Sequence, residues 1–105
     1  MLVPVSIPSL TLLVVVTNAL PNWDVTASCR GSSLLSENKI DRLSYCLESE
    51  KNTRAKLAAG WAKFPEADRI RCINSIKWFE PTYSELAACL DMSKYQRQDE
   101  QSDGR

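Results

Sequence analysis

The chain has no histidine, and it has only three glycines among its 105 residues. Histidine is the commonest general base in enzymes and a frequent zinc ligand, so the usual starting point of both kinds of site is missing. The glycines, Gly31, Gly60 and Gly104, lie far apart and form no glycine-rich phosphate-binding loop. The sequence therefore contains no readable active site. We expect no catalytic residue, no metal ligand and no cofactor.

An excess of either charge is also lacking, because 13 Lys and Arg side chains balance 13 Asp and Glu side chains. A protein that binds nucleic acid usually carries a basic patch or stripe that neutralises phosphates. Here the two signs are interleaved along the chain, which is typical of solvated helix surfaces. We therefore expect no nucleic-acid partner.

Charge is absent from the whole N-terminal segment, where Asp24 is the first charged residue. The segment is largely apolar up to Leu20, most densely in residues 10–16. An apolar run followed by small residues is typical of a secretory signal, although no Lys or Arg precedes this one. We predict a signal peptide over residues 1–27, a periplasmic or secreted protein, and no membrane association beyond this segment.

Two positions fit the small-x-small pattern of a cleavage site: Ala19, in Thr17-Asn18-Ala19, and Ala27, in Val25-Thr26-Ala27. An uncleaved anchor is an alternative, but spanning a bilayer takes roughly 20 apolar residues, and two prolines interrupt the first half of the run. A structural strand is a further alternative. A lipid-attachment site at Cys29 is disfavoured because Thr26 stands where a large aliphatic residue is needed.

The chain contains four cysteines, at positions 29, 46, 72 and 89. An even number of cysteines in a short exported chain indicates disulfides, each of which stabilises the fold by about 2–4 kcal/mol. A structural zinc site usually places two ligands on one short knuckle, whereas these cysteines are 17, 26 and 17 residues apart. We therefore predict that Cys29, Cys46, Cys72 and Cys89 form two disulfides.

Apolar residues recur at helical spacing after residue 36, and no strand-length alternation appears after residue 30. The pattern predicts helices over residues 37–63, 66–77 and 83–95, separated at Pro65 and at Glu80-Pro81. Thr82 and Glu85 match a capping box at the start of the third helix. Residues 30–33 resemble a turn, and the polar residues 96–105 are expected to be disordered. The predicted fold is all-α: a small three-helix, hairpin-like domain over residues 28–95.

This layout favours one of the three disulfide connectivities. An unbroken first helix carries Cys46 far from Cys72, because the chain rises about 1.5 Å per residue. Cys72 and Cys89 flank the Glu80-Pro81 turn and can meet, and the segment after Cys29 can fold back to Cys46. We predict Cys29–Cys46 and Cys72–Cys89. A sharp bend at Gly60 would instead favour Cys46–Cys72 nested within Cys29–Cys89.

Residues 46–92 contain a series of short segments in a characteristic order: Cys46-Leu47-Glu48-Ser49-Glu50, Arg54, Leu57, Trp61-Ala62-Lys63-Phe64, Arg69-Ile70-Arg71-Cys72 and Tyr83-Ser84-Glu85-Leu86-Ala87-Ala88-Cys89-Leu90-Asp91-Met92. In these segments and their order, the chain resembles a group of small exported alphaproteobacterial proteins, common in rhizobia. The resemblance implies an exported helical protein and no catalytic activity.

Trp78 and Phe79 form the one candidate contact site in the sequence. Two adjacent bulky aromatics at the end of a helix cannot both point into a thin helical layer, so we expect at least one to be exposed and available to a partner. Core or partial burial of these rings is the alternative. The predicted function is a non-catalytic protein-interaction module of the envelope or the medium. A secreted effector or inhibitor, and an enzyme with an unreadable site, are the alternatives.

Overall fold

The computed structural model describes residues 19–34, 37–79 and 81–103, and most of this part is helical. Its elements are α1 (Thr26–Ser33), α2 (Lys39–Gly60), a 3-10 turn (Trp61–Lys63), α3 (Glu66–Ile76) and α4 (Tyr83–Asp103). No strand occurs among the described residues. Helix α1 packs on α2, α3 packs on α4, and α2 packs on α4. The all-α fold predicted from the apolar periodicity is confirmed.

Helices α2 and α3 lie within the predicted ranges, and local chemistry explains their ends. Gly60, with φ −110° and ψ 10°, ends α2 and begins the 3-10 turn, so the helix stops before residue 63. Pro65 precedes α3, and its carbonyl oxygen accepts the N–H groups of Asp68 and Arg69, both at 3.1 Å. Glu66 and Asp68 lie in the first turn of α3, where the helix dipole stabilises carboxylates.

The two ends of the domain differ from the expectations. Residues 30–33 belong to α1 instead of forming a turn, and α1 begins two residues before the predicted domain boundary at residue 28. Helix α4 continues to Asp103, where we expected a disordered tail over residues 96–105. Its last turns contain three Gln residues together with Arg97 and Glu100, all of which are good helix formers. Arg97 also ties them to α3, with Nη1 2.7 Å from Asp68 Oδ2.

The core lies between α2, α3 and α4. Its buried members are Leu57, Trp61, Cys72, Tyr83, Leu86 and Leu90. Partly buried apolar side chains pack around it, and they include Phe64, whose ring meets Trp61 edge to face at 6.2 Å. The buried members from α4, Tyr83, Leu86 and Leu90, are three and four residues apart and therefore lie on one face of the helix.

Two disulfides connect the helices in pairs. Cys29–Cys46 joins α1 to α2 with a Cα–Cα distance of 5.5 Å, and Cys72–Cys89 joins α3 to α4 at 5.7 Å. Each closes a loop with a sequence separation of 17 residues. The predicted pairing is the observed one. The nested alternative is not formed, because Cys46 and Cys72 are each bonded to another cysteine.

The first 18 residues of the predicted signal segment lie outside the described residues. Within the described part, no helix combines the length and the apolar character needed to cross a bilayer.

Candidate functional site

The loop between α3 and α4 presents two aromatic side chains to solvent. Trp78 is 78% exposed and Phe79 is 80% exposed. Both follow the last turn of α3, whose residues Ile73 and Ile76 pack against the core. The chain has therefore passed the end of the apolar layer when it reaches Trp78. We expected at least one of the two aromatic rings to be exposed, and both are. We call this pair of residues the aromatic loop.

The backbone of the aromatic loop is held in place on its α3 side. The N–H of Lys77 donates to the carbonyl oxygen of Ile73 at 3.0 Å, and the N–H of Phe79 donates to that of Ile76 at 3.3 Å. The ammonium group of Lys77 lies 5.1 Å from the centre of the Trp78 ring, within cation–π range. The Cys72–Cys89 disulfide fixes the two helices that flank the loop.

A groove of about 620 Å³ lies beside Phe79. Its remaining lining residues come from α1, α2 and the start of α4, and most of them are small or polar: Ser28, Gly31, Ser32, Cys46, Thr82 and Glu85. Phe79 therefore stands next to a recess instead of a flat surface. A partner segment that contacts the aromatic ring can also enter this groove.

A buried polar arrangement centres on Tyr83, at the start of α4, which is only 2% exposed. Its hydroxyl donates to the carbonyl oxygen of Pro21 at 2.8 Å and accepts the backbone N–H of Trp23 at 2.7 Å. Arg54 on α2 donates its Nε–H to the same hydroxyl at 3.2 Å. Tyr83 therefore holds the segment before α1 against α2 and α4.

Glu50 on α2 also belongs to this arrangement. Its side chain is buried, with 5% of the residue exposed. Oε2 accepts the backbone N–H of Tyr83 at 2.7 Å, and Oε1 accepts the hydroxyl of Ser84. The N–H of Glu85 donates to Thr82 Oγ1 at 3.1 Å, which confirms that half of the predicted capping box. Glu50 thus supplies a negative charge to the N-terminus of α4, where the helix dipole favours it.

The bond between Ser84 and Glu50 contributes to the structure of this helix end. Oε1 of Glu50 accepts the Ser84 hydroxyl and Oε2 accepts the Tyr83 N–H, so both carboxylate oxygens bind the first turn of α4. The observed hydrogen bonds serve to cap α4 and to anchor the N-terminal segment.

A second polar cluster holds the distal part of α4 against α3. Asp68 is buried and meets two guanidinium groups, Arg71 Nη2 at 3.1 Å and Arg97 Nη1 at 2.7 Å. Arg71 also donates to the Ser93 hydroxyl at 2.5 Å, and that hydroxyl donates to the carbonyl oxygen of Cys89 at 3.0 Å. The cluster links the two helices at the level of their disulfide and is a structural tether.

Metal-binding and thiol chemistry find no support in the described residues. No group of three or more His, Cys, Asp or Glu side chains in the described part of the chain is arranged to hold a metal ion. All four cysteines are consumed in disulfides, which leaves none as a thiolate ligand or nucleophile.

The segment before α1 is the structural feature that the sequence analysis missed. Leu20, Trp23 and Val25 pack against the core, and the Trp23 ring lies 5.5 Å from the Tyr83 ring. Asp24 Oδ1 accepts the N–H of Thr26 at 3.0 Å, and side-chain and backbone hydrogen bonds from Thr26 lower the pKa of the Asp24 carboxyl below its usual value. Trp23 and Asp24 are atypical of a signal peptide, and these two residues are the sequence feature that could have indicated a folded segment.

No protein-family model, no curated protein and no solved structure matches this chain.

Proposed function

We propose that this chain is an exported, non-catalytic module that binds a protein partner through the aromatic loop, Trp78 and Phe79. The observation that carries the proposal is the exposure of both rings, at 78% and 80%, on adjacent residues. Tryptophan is among the residues that contribute most at protein interfaces, and aromatic side chains are enriched there. The partner that fits this surface has an apolar pocket able to enclose one or both rings.

The fixed backbone of the aromatic loop supports this proposal. Binding through a mobile loop costs free energy because the loop must be ordered, and a preorganised surface avoids part of that cost. The aromatic loop lies between two helices that are joined by Cys72–Cys89, and its backbone is hydrogen-bonded to the last turn of α3. A partner therefore meets two rings whose supporting backbone is already in place.

Export is supported by the two disulfides and by the apolar N-terminal segment of the sequence. Disulfides form and persist in oxidising compartments such as the periplasm or the extracellular medium. Both cysteine pairs lie at bonding distance in the structure. The resemblance of residues 46–92 to small exported alphaproteobacterial proteins agrees with this location and adds no enzymatic activity to the proposal.

Site-specific photo-crosslinking in intact cells tests the proposal. A photoreactive amino acid replaces Trp78 in the full chain, and a matched variant carries it at Tyr45, which is 75% exposed on α2. We expect a discrete adduct from position 78 and none of that mass from position 45. Equal adducts at both positions, or none at position 78, would contradict a specific surface.

The captured protein then has to show that the rings contribute to affinity. With both proteins purified, we expect Phe79→Ala to weaken binding at least about tenfold, the effect of a contact worth about 1.4 kcal/mol. Tyr95→Ala, at another exposed aromatic on α4, serves as the matched control and should leave the affinity unchanged. An equal loss from both variants would rule out the aromatic loop as the binding site.

A stability measurement separates contact residues from core residues. Because Trp78 and Phe79 are mostly exposed, replacement of either by Ala should change the free energy of unfolding by less than about 0.5 kcal/mol. Trp61→Ala, at a buried ring, should cost about 3–5 kcal/mol. Large losses from both loop variants would mean that the rings support the fold and would remove the proposed site.

A further inference from the structure

The residues that follow Ala19 belong to the folded domain. Leu20, Trp23 and Val25 pack against the core, and the Tyr83 hydroxyl bonds to the backbone of both Pro21 and Trp23. Ala19 itself is exposed and lies outside any helix. A chain that begins at residue 20 therefore keeps every one of these contacts.

The bond after Ala27 has a different environment. Ala27 is the second residue of α1, and the hydrogen bond from Cys29 N–H to the Val25 carbonyl oxygen, at 3.0 Å, spans this bond. A chain that begins at Ser28 would lose the start of α1 and the three apolar side chains before it. It would also deprive the buried Tyr83 hydroxyl of two of its three described partners.

The position of the apolar run points to the same bond. A signal peptidase cleaves after small residues that follow the apolar region of the signal. Thr17-Asn18-Ala19 follows the densest apolar stretch, residues 10–16, without a gap, whereas Val25-Thr26-Ala27 starts nine residues beyond its end. Of these two cleavage motifs, only Thr17-Asn18-Ala19 precedes all the residues of this segment that pack against the core.

We infer that a signal peptidase hydrolyses the Ala19–Leu20 bond, so that the mature protein begins at Leu20. Water supplies the oxygen of the new Ala19 carboxylate, and the amide nitrogen of Leu20 becomes a free α-amino group. The inference rests on the proposed export and adds to it the position at which the exported chain is processed. Residues 20–27 then belong to the mature domain and not to the signal.

The test is to express the full chain in a Gram-negative host and to determine the N-terminus and the intact mass of the product in the periplasm. Two matched variants, Ala19→Leu and Ala27→Leu, each place a bulky residue before one candidate bond at an exposed position. We expect the wild type and Ala27→Leu to begin at Leu20. Ala19→Leu should yield no product with that N-terminus.

An N-terminus at Ser28 in the wild type would overturn the inference, as would normal processing of Ala19→Leu together with blocked processing of Ala27→Leu. An uncleaved but oxidised chain in the membrane fraction would overturn the cleavage site and leave export intact. A full-length, reduced chain in the cytoplasm would overturn export itself, and with it the inference.

Discussion

Replacing Tyr83 by Phe tests whether the segment before α1 is a real part of the fold. The substitution keeps the ring, its 5.5 Å contact with Trp23 and its place in the core, and it removes only the hydroxyl. That hydroxyl serves three described partners: the Pro21 carbonyl oxygen, the Trp23 N–H and the Arg54 Nε–H. Any effect on stability therefore reports on the hydrogen bonds and not on packing.

The expected magnitude follows from the burial of these groups. A hydrogen bond contributes about 0.5–1.5 kcal/mol net, and a buried polar group left without a partner costs about 1–3 kcal/mol. Pro21, Trp23 and Arg54 are only partly buried, so water replaces some of what the hydroxyl provides. We expect Tyr83→Phe to lower the free energy of unfolding by about 2 kcal/mol, which corresponds to a fall in Tm of about 10 °C for a domain of this size.

The assay is thermal and denaturant unfolding of the oxidised protein, followed by circular dichroism. Tyr95→Phe makes the same chemical change at an exposed ring and should alter stability by less than about 0.5 kcal/mol. If Tyr83→Phe were as stable as Tyr95→Phe, the N-terminal segment would contribute nothing through this hydroxyl, and the reasoning would be refuted.

Three further predictions concern the other structural contacts. Glu50→Gln should lower the free energy of unfolding by about 1–2 kcal/mol, because α4 loses a charged cap. The control Glu48→Gln, at an exposed position, should have little effect on stability. Equal effects of the two substitutions would contradict the cap. Removing either disulfide by paired Cys→Ala changes should cost about 3 kcal/mol of loop entropy. The two losses should be similar, because both loops have the same length and Cys29 and Cys72 are equally buried. Arg97→Ala should accelerate amide hydrogen exchange in the last turns of α4 and leave α2 unchanged; unchanged exchange in α4 would contradict the tether to Asp68.

The long helices and the disulfide pairing could be predicted because they depend on short-range patterns. Apolar residues at helical spacing define α2 and α3, and Pro65 separates them. Once α2 is a single helix, Cys46 is carried far from Cys72, and the remaining geometry leaves Cys29 as its partner. The exposure of Trp78 and Phe79 follows from the same pattern, because α3 presents one apolar face and ends before them.

The N-terminal part of the domain could not be predicted in the same way. Hydrophobicity alone does not distinguish residues that serve a signal from residues that enter a core, so Leu20 to Val25 were assigned to the signal. Helix α1 is rich in Ser and contains Gly31, which have modest or poor helix propensity. Its contacts with α2 and the Cys29–Cys46 disulfide stabilise it in the fold.

The polar arrangement around Tyr83 depends on contacts between residues far apart in the sequence, and these leave no local trace. Glu50 caps α4 across 33 residues, and Tyr83 meets Pro21 across 62. The capping box of Thr82 and Glu85 could be predicted because the two residues are close in the sequence. Glu50, the other carboxylate at this helix end, belongs to α2. Likewise, the continuation of α4 beyond residue 95 depends in part on an ion pair with α3.

A tryptic map of the protein from its natural cells, made without reduction, tests most directly whether the chain is an exported, oxidised domain. Trypsin places the four cysteines on four peptides, because Arg or Lys residues separate them all. We expect residues 43–51 to be linked to the peptide that ends at Arg30, and residues 72–77 to be linked to residues 78–94. Free thiols at these positions, or a peptide that joins Cys46 to Cys72, would contradict the proposed export or the fold.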